Sequence, residues 1–259
     1  MTTELVTALS GLAASFLSGL LGIGGGIVLT PLLLYVPALA GTAPIPVKII
    51  TGLTVVQAIS GSALGALRHR SYGNVSTRLV LVMGPPGAIA SLVGALLSRD
   101  SSDAILLIIF AAFSFLTAVF LLLPPRTVDA PTEEVRFDVR LAIVLALVIG
   151  LFGGMVGIGA IAFILAALVY FLRVPARVAI GTSLGIGMFG AAAALVGKAA
   201  TAQIDVPLAA TIVVGALIGS PIGAWISVRT RTAVLLRILA VVVILAGVRI
   251  LASAFSTAP

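Results

Sequence analysis

The chain has 259 residues, 61% of them hydrophobic and only 9% charged, with no cysteine, which excludes disulfides, thiolate chemistry and cysteine-ligated metal. Its net charge of +7 would suggest nucleic acid in a soluble protein, but the basic residues flank apolar runs and read as topology signals, so no nucleic-acid partner is expected. Several runs reach the roughly 20 apolar residues of a bilayer-crossing helix, which makes this an all-α polytopic membrane protein with the lipid bilayer as partner.

The first segment runs from about Leu5 to Leu21. With no basic leader at Met1 to Leu5 it reads as a retained span rather than a cleaved signal. It breaks at Gly22-Ile23-Gly24-Gly25-Gly26 and resumes from about Ile27 to Leu39. Glycine accepts positive φ without steric cost, so three in succession end one helix and uncover the peptide N–H groups that start the next. Partial positive charge gathers there, and at membrane depth it receives an anion. Gly19 and Gly22 also fit close helix packing, for which the adjacent triplet is poorly spaced.

Helices follow over about Val47 to Leu67, Leu79 to Leu97 and Ala104 to Leu123. Pro124 to Asp138 is polar and reads as a surface linker. The second half repeats the plan: Leu141 to Val156, a break at Gly157-Ile158-Gly159, then Ile161 to Leu172, Val178 to Val196, Val206 to Val228 and Ala233 to Leu251.

The two halves keep register. Gly19-Leu20-Leu21-Gly22-Ile23-Gly24 falls on Gly154-Met155-Val156-Gly157-Ile158-Gly159, 135 positions on. Thr51-Gly52-Leu53-Thr54 falls on Ile180-Gly181-Thr182-Ser183, 129 positions on, and the six-residue difference is expected as extra loop in the first half. The division expected is a first repeat over 1–123, a linker over 124–138 and a second repeat over 139–259. If each glycine-broken pair counts as zero or two crossings, the repeats are inverted, and eleven of the fifteen Lys and Arg residues fall on one side. Parallel repeats would divide them about evenly, so the positive-inside rule favours inversion, with the linker cytoplasmic and both termini outside. The short second arms favour re-entrant hairpins over thin crossings.

Inverted repeats with broken helices place a site where the breaks meet. The expected substrate-binding groups are the backbone of Gly24, Gly25 and Gly26, and that of Gly157, Ile158 and Gly159. Beside them come the polar patches Thr51, Gly52, Thr54 and Gly181, Thr182, Ser183, which follow Pro46 and Pro175. Those hydroxyls either reach the anion or back-bond within their own helices. Gln57 is a large amide in an apolar helix and is expected to face the interior. Gly25→Val is expected to abolish anion binding while leaving the protein folded. All eight acidic residues fall outside the expected spans, which argues against a carboxylate-based cation relay. His69, between Arg68 and Arg70, reads as solvated, and Lys48 and Lys198 as snorkelling toward headgroups. No nucleophile–base pair or metal cluster can be assembled, so neither an enzyme nor a cofactor is expected.

Gly22 through Pro31 resembles the glycine-rich signature near the N-terminus of TauE/SafE proteins, the 4-toluene sulfonate uptake permease family. Pro175 and Gly181-Thr182-Ser183-Leu184 are similar to its second signature. The second half departs from the first at Ala160, Ile161 and Ala166, so the first break carries more weight. The resemblance implies a prokaryotic inner-membrane permease for small sulfur-containing anions such as sulfite, sulfonates or sulfoacetate. The alternatives are a passive anion channel, a permease for another anion such as a carboxylate, and a non-transporting membrane scaffold. Nothing in the pattern fixes direction, coupling ion or oligomeric state.

Overall fold

The computed structural model describes residues 2–21, 24–122, 137–157, 160–231 and eight single positions between 234 and 248. Its elements are helices: α1 (Thr3–Leu21), α2 (Gly26–Leu39), α3 (Val47–Ser71), α4 (Thr77–Leu97), α5 (Asp103–Leu122), α6 (Val139–Val156), α7 (Ile161–Tyr170), α8 (Ala176–Ala200) and α9 (Val206–Ser227). Among the described residues, α1, α3, α4, α6, α8 and α9 are long and apolar enough to cross a bilayer. Of the expected last helix, 233–251, only those eight positions are described, each of them helical, and nearly all of the expected linker lies outside the described residues.

Local chemistry sets the helix ends. Asp138 accepts hydrogen bonds from the amides of Arg140 at 2.8 Å and Leu141 at 3.2 Å, and Asp205 accepts from Leu208 at 3.0 Å. Pro46 and Pro175 cap α3 and α8 with φ of −58° and −53°. Both helices run 25 residues, past the expected ends at Leu67 and Val196. The charged residues there are good helix formers, and the chain leaves each helix through a left-handed residue, Gly73 (φ 73°) or Ala202 (φ 54°). The six residues expected as loop are mostly helix instead, since α2 has 14 residues and α7 has 10. Pro31 and Pro37 lie inside α2 without ending it, as membrane-embedded helices allow.

Glycines decide which helices touch. A Cβ on Gly19 would overlap the Ser220 carbonyl, and Gly215, Gly219 and Gly223 press on the backbone around Leu12, Phe16 and Leu20. Gly19 is therefore a packing residue, and α1 lies parallel to α9 in near backbone contact. Likewise Gly150 meets Gly87 and Gly154 meets Ser91, so α6 lies parallel to α4. Ser220 Oγ donates to the Gly61 carbonyl at 2.7 Å and Gly52 abuts Gln203, which makes α3 parallel to α9. Gly185 at Val80 and Gly197 at Ala95 make α8 parallel to α4. Where α3 and α8 cross, Gly65 meets Leu184 and Thr51 meets Lys198, an antiparallel pairing. Hence α1, α3 and α9 point one way and α4, α6 and α8 the other. The pairs α1–α9, α3–α9 and α2–α3 are answered by α6–α4, α8–α4 and α7–α8.

Charge divides the two ends of this bundle. Arg68, Arg70, Arg78, Arg140, Arg173, Arg177, Arg229 and Arg231 gather where α3 and α9 finish and α4, α6 and α8 begin. The opposite end carries Glu4, Asp100, Asp103 and Asp205, with Lys48, Arg99 and Lys198.

Candidate functional site

The first break turns through two left-handed glycines, Gly24 (φ 71°) and Gly25 (φ 68°). That conformation costs a residue with a Cβ about 1–2 kcal/mol. Gly25 caps α2 without a side chain, and the amides of Gly26 and Ile27 have no partner inside the helix. Gly25 lies against Gln57, the eleventh of the 25 residues of α3, so the start of α2 sits near that helix's midpoint. A Cβ on Gly25 would overlap Gln57 Nε2 and come within 2.6 Å of the Ala14 carbonyl oxygen. Gly25→Val therefore cannot leave the local fold intact, contrary to the sequence-based expectation, because it meets both strain and overlap. The cleaner probe is Gln57.

Gln57 is fully buried, facing inward as expected. Its Nε2 donates to Ser15 Oγ at 3.4 Å, while its Oε1 has no partner among the described residues. The buried Ser18 Oγ, beside Gly61 one turn further along α3, likewise has none among the described residues. Each such unpaired atom costs about 1–3 kcal/mol. The chain thus keeps two incompletely bonded polar groups beside a bare helix N-terminus. Ser15 and Ser18 were not anticipated. Their spacing of three on an apolar helix was the available signal.

The second break adjoins the first. Ile161, which opens α7, packs against Gly24 and against Gly187, the twelfth residue of α8. Ala160 stands where Gly25 stands in the first half and is left-handed as well (φ 51°), despite its Cβ. Its surroundings differ in chemistry. Where the first half has Ser15, Ser18 and Gln57, the second has Gly150, Gly153 and Ile186, lining a cavity with room for about one water molecule. Gly157 (φ 79°) ends α6 against the Thr51 carbonyl, with Thr54 Oγ1 at 3.0 Å from where a Cβ would be. Ile158 and Gly159 lie outside the described residues.

The structure thus brings Gly24, Gly25, Gly26 and Gln57 together on one side, and Gly157, Thr51 and Thr54 on another. Thr51 Oγ1 donates to the Lys48 carbonyl at 2.8 Å, Thr54 Oγ1 to that of Thr51 at 2.9 Å, and Ser183 Oγ to that of Ile180 at 2.9 Å. These are back-bonds within a helix. Thr182 Oγ1 instead accepts from the Ser76 amide at 2.9 Å, ahead of α4. Gly52 and Gly181 are close-approach positions, against the carbonyls of Gln203 and Asn74.

Two residues depart from their sequence reading. His69 is 2% exposed rather than solvated, with Nε2 3.2 Å from the Gly19 carbonyl oxygen. Lys198 is 0% exposed rather than snorkelling, since α8 extends past it and turns it inward. Its Nζ donates to Thr51 Oγ1 at 2.9 Å, Ser98 Oγ at 2.7 Å, the Met155 carbonyl at 3.0 Å and Gln203 Oε1 at 2.9 Å. Lys48, by contrast, stays at the surface and donates to the Arg99 carbonyl at 2.7 Å. The register of 129 places Lys198 on His69 and Gln203 on Asn74, a coincidence of polar residues that pointed inward.

The family model described as "Sulfite exporter TauE/SafE" matches residues 7–250. The chain is 24% identical to the "Probable membrane transporter protein YunE" of Bacillus subtilis (strain 168), over 93% of this chain and 94% of that protein. It is 28% identical to a "Probable membrane transporter protein" of Xylella fastidiosa (strain 9a5c), over 87% and 85%. Identity to YjnA of the same Bacillus, also named a probable membrane transporter protein, is 26% over 94% and 98%. No solved structure gives a significant match. With nearly its whole length matched and an all-helical, multi-pass structure in hand, this chain belongs to the TauE/SafE family of membrane transporters.

Proposed function

We propose that this protein is a secondary transporter of small sulfur oxyanions of the sulfite, sulfonate or sulfoacetate type, working by alternating access between two inverted repeats, 1–123 and 139–259. One observation carries the reading: the start of α2 stands halfway along α3, beside the buried and incompletely bonded Gln57 and Ser18. A sulfonate head spreads one charge over three oxygens and needs donors from three directions. The first-turn amides around Gly24, Gly25 and Gly26, the Gln57 amide and the Ser18 hydroxyl offer them. By register Gly157, Ile158 and Gly159 are the second half's counterpart of that break, with Gly157 beside Thr51 and Thr54, and Thr51, Gly52, Thr54 and Gly181, Thr182, Ser183 frame the paths toward the anion. In the present conformation the Gln57 amide covers the α2 N-terminus, so binding turns that amide toward the anion.

The opposed directions of α1, α3, α9 and α4, α6, α8 support inversion of the repeats. At 1.5 Å per residue, α2 and α7 span roughly 21 and 15 Å, short of the ~30 Å hydrocarbon core, which supports re-entrant hairpins. The basic end of the bundle is then cytoplasmic, with both termini outside a prokaryotic inner membrane. The family description and the relatives' names support transport as the activity.

The test is calorimetric titration of purified protein with sulfite, methanesulfonate, sulfate, acetate and propionate. Sulfite and methanesulfonate are expected to bind, and Gln57→Leu to weaken both. Binding of the carboxylates alone, or an unaltered affinity in Gln57→Leu, refutes the assignment. In liposomes, internal methanesulfonate should accelerate uptake of external label, which a passive channel would not show.

A further inference from the structure

Lys198 is a fully buried lysine in the last turn of α8, and no described carboxylate hydrogen-bonds to its amino group. Its four partners are neutral oxygens: two hydroxyls, one amide oxygen and one backbone carbonyl, all 2.7–3.0 Å from Nζ. An ammonium has three protons to give, so it is encircled rather than paired. The backbone ligand is Met155, in the last turn of α6 just before the left-handed Gly157, where carbonyls are free and the helix end is partly negative. Thr51 and Ser98 come from the first half, Met155 and Gln203 from the second. Neutral oxygens gathered at the carboxyl end of a broken helix are what a transporter uses to hold an alkali cation.

We propose that the oxygens of Thr51, Ser98, Met155 and Gln203 form a monovalent-cation site whose occupant is the protein's own Lys198 ammonium in place of a sodium ion. The tethered charge pins the two halves together here, and it stays with the protein when they separate. No sodium ion then accompanies the anion at this site, whichever anion that is. With the side chain cut back to alanine, the same oxygens open to a sodium ion.

The experiment is thermal unfolding of purified wild type, Lys198→Ala and the double variant Lys198→Ala/Gln203→Leu, in sodium chloride and in choline chloride at equal ionic strength. The wild-type midpoint is expected to be the same in both salts. Lys198→Ala should unfold at a clearly higher temperature in sodium chloride than in choline chloride. The double variant, with one ligand oxygen removed, should lose most of that difference. A sodium-dependent midpoint in the wild type overturns the proposal, and so does Lys198→Ala behaving alike in the two salts, including failure to fold in both. The readout contains no anion substrate, so its failure is separate from failure of the sulfonate assignment.

Discussion

Replacing Gln57 with leucine is expected to make the protein more stable and a poorer binder. The amide is fully buried, and among the described residues it makes a single long hydrogen bond, 3.4 Å to Ser15 Oγ, with Oε1 unpaired. An unpaired buried polar atom costs about 1–3 kcal/mol, whereas a hydrogen bond stretched that far returns well under 1 kcal/mol. Leucine of similar volume removes both terms, so a net gain of about 1 kcal/mol is expected. Binding moves the other way. A hydrogen bond to a charged group contributes about 1.5–3 kcal/mol, so affinity for methanesulfonate should fall roughly 10- to 150-fold. Equilibrium unfolding in mixed micelles reads the first effect and titration calorimetry the second. The opposed signs are the diagnostic, because a merely structural glutamine would lose stability on substitution and leave affinity alone. That pair of results refutes the site.

Three further outcomes follow from the geometry. Ala160→Gly should raise stability by about 0.5–1 kcal/mol in equilibrium unfolding, since it relieves a left-handed alanine (φ 51°) and gives back part of that gain through a looser unfolded chain. Gly19→Ala and Gly154→Ala should each cost about 1–3 kcal/mol, because their Cβ atoms enter the Ser220 and Ser91 carbonyls, whereas Gly41→Ala, facing open space at φ 72°, should cost only the ~1 kcal/mol of its backbone. The natural chain has no cysteine, so Ser71→Cys should react with an impermeant maleimide only in inverted vesicles, and Asp100→Cys only in intact cells; labelling of both from one side refutes the orientation.

The helices from Thr3 to Ser227 and the positions of both breaks were legible because hydrophobic length and glycine spacing are local signals. What the sequence concealed were the consequences of packing. Lys198 read as a surface lysine because a charge near the end of an apolar run normally reaches headgroups, and only the packing of α3, the ends of α4 and α6, and the turn after α8 around it supplies the four oxygens that hold it inside. Ala160 read as a departure from the glycine pattern, yet its backbone copies Gly25, since the position of α7 and not residue type dictates the turn. Gly52 and Gly181 looked like members of polar patches, but each is small because a neighbouring carbonyl lies against it.

The strained Ala160 separates geometry from chemistry in the second half. Holding alanine left-handed costs about 1–2 kcal/mol, and among the described residues the cavity beside it has the Ser91 hydroxyl as its one polar side chain, where the first break has Ser15, Ser18 and Gln57. What the turn accomplishes is to start α7 at the right depth, so that Ile161 fills the space between Gly24 and Gly187. On the proposed reading the first break serves both binding and placement, and the second chiefly placement. Ile161→Ala tests that division. It opens a void where the two breaks adjoin and should cost about 2–5 kcal/mol of stability, with methanesulfonate affinity within about threefold of wild type. Transport should change much more, because in the proposed alternating-access mechanism Ile161 is a contact across which the halves move. If affinity instead collapses as far as in Gln57→Leu, the second break grips the anion directly and the two halves share the work of binding.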